Sequence, residues 1–279
     1  LTVGARAGEA ISAATDALEA AGVETPRLDA EVLLAGLSGI GRAELVVRPE
    51  TELTSATSRE YSAAVRRRLQ HEPVAYILGR KGFRYIELEV DRRVLVPRPE
   101  TELLVELAVG LNAASVLEIG TGSGAVALAV AHELPTCVAV ATDTSSDALS
   151  VATSNARRLG LSKRVRFLEC SLPPEGCRVD VILANLPYVP AGDPLPPDVS
   201  KFEPAAALYG GPDGTSVISD VLVALGPAGI TAPVIGLEVG IGQAEHAAAM
   251  LRATGFPQTE IRSDLAGIGR VVVGRNPGL

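Results

Sequence analysis

Between Ser115 and Val273 short apolar runs alternate with stretches of helical periodicity, and this alternation restricts the fold more than any other feature. Ser115–Ile119 is a short apolar run, followed by glycines and then by an apolar helix over Ala125–Glu133. Cys137–Ala141 reads as a second strand, and Ser146–Leu159 as a helix ended by Gly160. Val165–Leu168 and Val179–Ala184 are further strands, and Val234–Val239, a helix over Gln243–Thr254 and Val271–Val273 finish the series. Strands separated by helices imply a mostly parallel sheet with helices on both faces, because a parallel pair needs a long crossover. The expected fold class is therefore α/β.

Upstream the periodicity differs. Ala10, Ile11, Ala14, Leu18 and Ala21 recur near helical spacing before Gly22. Leu28, Val32, Leu33 and Leu37 repeat the pattern before Gly39, and Tyr61, Val65 and Leu69 do so before Pro73. Residues 1–75 read as a small helical unit. Arg66, Arg67 and Arg68 lie on its last helix and read as a solvated face. Residues 76–97 contain strand formers from Phe83 to Val96, with Asp91 as a turn residue, and predict a β-hairpin linker. Pro97 and Pro99 then punctuate the chain, and residues 98–279 read as the α/β domain, with a first helix from Glu100 to Gly110.

The first strand of that domain runs into Glu118-Ile119-Gly120-Thr121-Gly122-Ser123-Gly124. Glycines between a strand and a helix allow positive φ and let a ligand approach the backbone closely. About 20 residues on, the second strand ends in Asp143, placed to accept hydrogen bonds from a ribose diol. Together they predict a nucleoside-binding crevice. Gly120-x-Gly122-x-x-Ala125 also satisfies the loose dinucleotide pattern, so a nicotinamide cofactor competes. Glu118 favours S-adenosyl-L-methionine, which lacks a pyrophosphate and carries a cationic methionine portion.

Asn185-Leu186-Pro187-Tyr188 stands at the carboxyl end of the fourth strand, again on the ligand side of such a sheet. An amide nitrogen is a poor nucleophile because its lone pair is delocalised into the carbonyl. A catalyst for its methylation must accept both N–H bonds and turn the lone pair towards the methyl group. Asn185 Oδ1 and the Leu186 carbonyl can supply the acceptors, and Tyr188 can pack against the flat amide. This is catalysis by orientation and placed dipoles.

Composition narrows the partners. The net charge of −8 provides no global electrostatic footprint for nucleic acid. The longest uncharged stretch, Val221 to Leu237, is shorter than the roughly 20 apolar residues of a membrane helix and is broken by Gly226, Pro227, Gly229 and Pro233. No N-terminal signal pattern is visible. Cys137, Cys170 and Cys177 form no Cys-x-x-Cys pair, and the three histidines are far apart, which predicts a reduced, cytoplasmic protein without a metal site.

The chain resembles the HemK/PrmC family, the protein-(glutamine-N5) methyltransferases of peptide chain release factors. The resemblance rests on Pro73 to Gly79, Val94 to Glu102 with its Pro-Arg-Pro-Glu motif, Glu118 to Gly124, the Asn185 segment, Glu203 to Gly214 and Asp264 to Gly274. It implies a Rossmann-like class I methyltransferase domain preceded by a small helical domain that engages a protein substrate and by a β-hairpin linker. It implies S-adenosyl-L-methionine bound by Glu118, Gly120, Thr121, Gly122, Ser123, Gly124, Asp143, Ser171, Leu172 and Asn185. Asn185, Leu186, Pro187 and Tyr188 would hold the substrate amide of a release factor, with no direct nucleic-acid or membrane contact. Two positions depart from the family pattern. Leu186 stands where the family has proline, and Ser171 replaces the usual aspartate. A paralogue acting on another protein or a small molecule, and a catalytically silent cofactor-binding module, are the alternatives. The family motif leaves the roles of Arg98, Glu100 and Thr101 open.

Overall fold

The computed structural model describes residues 5–279, so the first four positions of the expected helical unit lie outside the described residues. Contacts divide the chain into two compact units. One runs to Arg80 and includes Leu195–Phe202, and the other holds Lys81–Pro194 and Glu203–Leu279.

The first unit is helical: α1 (Ala7–Ala20), α2 (Pro26–Ser38), α3 (Arg42–Val47), α4 (Ser55–Arg68) and α5 (Val74–Leu78). Ala7, Ala10, Ile11, Ala14 and Leu18 bury one stripe of α1, as their i, i+3, i+4 spacing requires. Proline opens α2, and Gly39 in the left-handed region closes it. Thr54 caps α4 by accepting from the Thr57 N–H. Tyr61 on α4 is buried and donates to the Ala30 carbonyl at 3.0 Å, and burial raises its pKa.

Two expectations need correction here. The arginine triplet is not a uniformly solvated face. Arg68 is buried and pairs with Asp29 at 2.7 Å, while Arg67 makes a two-pronged pair with Glu72. The i, i+1, i+2 spacing spreads the three around the helix, so they meet different surroundings. Residues 76–78 are helical rather than part of the linker, because Pro73 opens α5 and Gly79 ends it in the left-handed region.

The second unit begins with a hairpin of β1 (Arg80–Phe83) and β2 (Ile86–Glu89). Its turn falls at Arg84, where φ is 51°, and Asp91 instead opens a turn beyond β2. Arg84 is held there by Glu133 and Glu106, both at 2.9 Å. A 3-10 turn over Pro99–Thr101 leads into α6 (Glu102–Gly110).

The α/β series then runs β3 (Ser115–Ile119), α7 (Ala125–Glu133), β4 (Val138–Asp143), α8 (Ser146–Arg158), β5 (Val165–Glu169), β6 (Cys177–Arg178) and β7 (Val181–Asn185). It continues through α9 (Pro197–Ser200, grouped with the helical unit), α10 (Ser216–Leu225), β8 (Ile230–Thr231), β9 (Val234–Glu238), α11 (Ala244–Ala253), β10 (Gln258–Ser263) and β11 (Gly269–Arg275).

Seven strands form the main sheet in the order β10-β11-β9-β7-β3-β4-β5, and β6 with β8 form a separate pair. β9, β7, β3, β4 and β5 are mutually parallel; β11 runs antiparallel to its neighbours β9 and β10, so the edge strand β10 points the same way as the parallel set. Leu117, Ile182 and Ile235 bury one face beneath Leu222 of α10 and Leu251 of α11. On the other face, Gly236 in β9 lets α6 come close. A Cβ there would lie 2.6 Å from Leu107 Cδ2 and 3.2 Å from Leu104 Cδ2.

Candidate active site

The carboxyl ends of β3, β4 and β7 open onto a cleft of about 370 Å³, at the place where ligands bind in open α/β sheets. β3 enters the glycine loop, and Gly120 takes a φ of 75° there. A Cβ at Gly120 would sit 3.1 Å from Leu186 Cδ2, so the glycine serves both the turn and the packing of the neighbouring strand end.

Asp143, at the end of β4, organises the loop. Its Oδ2 accepts from the Gly122 N–H and its Oδ1 from the Ser145 N–H, both at 2.9 Å. Glu118 lies beneath the loop and is 3% exposed. Its Oε2 accepts from the Thr121 hydroxyl at 2.5 Å and the Ala127 N–H at 3.0 Å. Burial nevertheless pushes its pKa up to about 7, and nearby Asp143 adds to the rise. A cleft lined by such an acid and by loop backbone suits a cationic group better than a pyrophosphate, so these residues fit S-adenosylmethionine.

Of the expected residues, Glu118, Gly120, Thr121, Gly122, Ser123, Asp143 and Ser171 all line the cleft, as do Asn185, Leu186 and Pro187. Three do not. Gly124 faces Leu128 and Ala152, where a Cβ would crowd the packing of α7 and α8. Leu172 packs against the apolar core. Tyr188 also packs there, and its hydroxyl donates to Glu238 Oε1 at 3.3 Å.

Asn185 Nδ2 donates to Thr101 Oγ1 at 3.1 Å. That assignment turns Oδ1 the other way. Arg98 pairs with Glu203 Oε1 at 2.5 Å, and Glu203 Oε2 accepts from the Val96 N–H. The Pro-Arg-Pro-Glu-Thr segment therefore forms one wall of the site: Arg98 fastens it to Glu203, and Thr101 fastens Asn185 to it. The motif was visible in the sequence, but no local pattern pairs Thr101 with Asn185, 84 positions away. Glu238 was not singled out either, although an acid ending an apolar strand at the ligand side of the sheet is a readable signal.

The doubly wound sheet, the glycine loop and the acid after β4 define a Rossmann-like class I methyltransferase. A family described as "Methyltransferase domain" matches residues 116–195, and one described as "PrmC N-terminal domain" matches residues 9–79. The release factor glutamine methyltransferase of Caulobacter vibrioides is 37% identical over 96% of this chain and 96% of its own length. That of Moorella thermoacetica is 38% identical over 94% and 95%. The chain belongs to the release factor glutamine methyltransferase family. Among solved structures, the hMettl16 catalytic domain in complex with a hairpin has a TM-score of 0.53 at 12% identity, covering 79% of this chain and 82% of that one, which shows a shared fold. Among the described residues, no helix is long and apolar enough to cross a membrane, and no group of three or more His, Cys, Asp or Glu is placed to hold a metal ion.

Proposed function

We propose that this protein transfers a methyl group from S-adenosyl-L-methionine to the side-chain amide nitrogen of a glutamine in a peptide chain release factor. The helical unit is the part that engages that protein, without direct contact to nucleic acid or membrane, and the reaction takes place in the cytoplasm.

The observation that carries this reading is the direction of the Asn185 amide, whose Nδ2 donates to Thr101. With Nδ2 given to Thr101, Oδ1 is free to accept from a substrate amide at the cleft. The Leu186 carbonyl is the second acceptor. Two acceptors on one amide nitrogen leave only its lone pair direction unoccupied, so orientation replaces the base that an amide would otherwise need. The bound cofactor supplies a methyl group on a positively charged sulfur. Glu118, Asp143 and the glycine loop hold the cofactor, with Ser171 positioned for a hydrogen bond to its base. Tyr188 acts from behind the cleft, packed against the core with its hydroxyl donated to Glu238.

The test is incubation with a release factor and S-adenosylmethionine, followed by tandem mass spectrometry. A single methyl on a glutamine amide is expected. An unmodified release factor, with a folded enzyme that binds the cofactor, would favour the paralogue or the silent module.

A further inference from the structure

Glu238 ends β9 directly opposite Asn185, the last residue of β7. Partners in a parallel ladder present their side chains to the same face of the sheet. On that face Thr101 precedes α6, and its Oγ1 already accepts from Asn185 Nδ2. A hydroxyl carries one proton and two lone pairs, so the Thr101 proton is left for another acceptor. Glu238 lies beside it and is 2% exposed. Its Oε1 takes the Tyr188 hydroxyl, and its Oε2 is buried with no full hydrogen bond, the Thr101 hydroxyl being the donor near enough to act on the carboxyl. An orphaned acceptor beside an unassigned hydroxyl proton asks for a function.

We propose that Glu238 is a positioning residue which, as the carboxylate, fixes the direction of the Asn185 amide through the Thr101 hydroxyl. The inference rests on the amide-methylation reading above. With Glu238 ionised, Thr101 gives its proton to Oε2 and can only accept from Asn185. Nδ2 then faces Thr101, and Oδ1 faces the cleft. With Glu238 protonated, the acid can donate to Thr101, whose own proton turns towards Asn185. The favoured sense of the amide reverses and presents Nδ2 to a substrate that is itself all N–H donor. One proton moves between Glu238 and solvent, and no heavy-atom bond changes.

The surroundings place this exchange in the neutral range. Burial raises the pKa of Glu238 to about 7 against the pull of the Thr101 and Tyr188 hydroxyls. Glu100 on the 3-10 turn raises it further, and Arg270 on β11 lowers it. Arg98 acts on the neighbouring Tyr188. Glutamine at position 238 cannot replace the carboxylate, because two hydroxyls donate here and an amide offers one oxygen and an NH2.

The test is kcat against pH, at saturating cofactor and with the protein substrate, for wild type, Glu238→Gln, Thr101→Val and Thr101→Ser. Cofactor affinity is measured alongside and also reports folding. Wild type is expected to gain turnover through about pH 7 and then level off. Glu238→Gln and Thr101→Val should each lose at least about tenfold in kcat at pH 8 and lose the acid limb, with cofactor affinity within twofold of wild type. Thr101→Ser should retain both turnover and limb. If Glu238→Gln fails to fold, the Thr101 pair decides. Variants that keep the wild-type kcat and limb overturn the inference while leaving the methylation reading intact. A wild-type enzyme that methylates no glutamine overturns both.

Discussion

The Asp143 carboxylate accepts from the Gly122 N–H at 2.9 Å, so the acid that ends β4 also holds the glycine loop that ends β3. It lines the cleft and shapes the loop beside it, and in the proposed reading it also binds the ribose diol of the cofactor. Asp143→Ala should therefore weaken S-adenosylmethionine by more than one lost contact. The hydrogen bond to a charged group alone is worth about 1.5–3 kcal/mol. Calorimetric titration checks this, and an unchanged dissociation constant would leave Asp143 as a loop residue only.

Glu118 predicts a proton linked to cofactor binding. Its pKa is raised from 4.5 to about 7, so near neutrality much of it is protonated in the ligand-free protein. A group with a raised folded-state pKa binds more protons folded than unfolded, so its contribution makes stability fall as pH climbs from 4.5 towards 7. A cationic ligand favours the carboxylate, lowers the pKa and expels the proton. Affinity should rise with pH up to about 7 and then level off. At pH 6.5 the binding enthalpy should depend on the buffer's own ionisation enthalpy, and Glu118→Gln should abolish that dependence. Equal wild-type enthalpies in phosphate and Tris would refute the linkage.

Asn185→Ala should reduce turnover far more than cofactor affinity. Removing one placed polar group of this kind costs about 10²–10³ in kcat. Single-turnover methylation with the cofactor saturating is the measurement, and near wild-type rates would remove Asn185 from the chemistry.

Leu186→Pro separates packing from chemistry. The Leu186 side chain is buried in the core beside Gly120, so a smaller ring there should cost about 1–3 kcal/mol of stability. Its carbonyl survives the substitution, and amide methylation should persist at temperatures where the variant is folded. Thermal unfolding and a methylation assay on the same preparation read the two effects. Full stability with lost activity would mean that the leucine side chain shapes the substrate pocket.

Much of this architecture was legible because each signal is local. Ser115–Ile119 and Ala125–Glu133 have the expected bounds, since an apolar run meets glycines at one end and a helix follows at once. β10 was missed because its sequence, Gln-Thr-Glu-Ile-Arg-Ser, is polar and largely solvent-facing at the sheet edge. Arg68 was misread because its partner Asp29 lies 39 positions away. The same limit hid Thr101 and Glu238. Their meaning comes from strand register and from the entry of α6, neither of which a linear motif records.

The grouping of Leu195–Phe202 with the helical unit has a consequence for dissection of the chain. The backbone crosses between the two units three times, after Arg80, after Pro194 and after Phe202. A single cut at the first crossing therefore yields no clean pair of fragments. The downstream piece would carry an eight-residue remnant of the other unit, including Asp198 with its partner Arg68 left behind. The two units are spliced rather than strung in tandem, and any fragment meant to stand alone must replace that splice with a designed closure between positions 194 and 203.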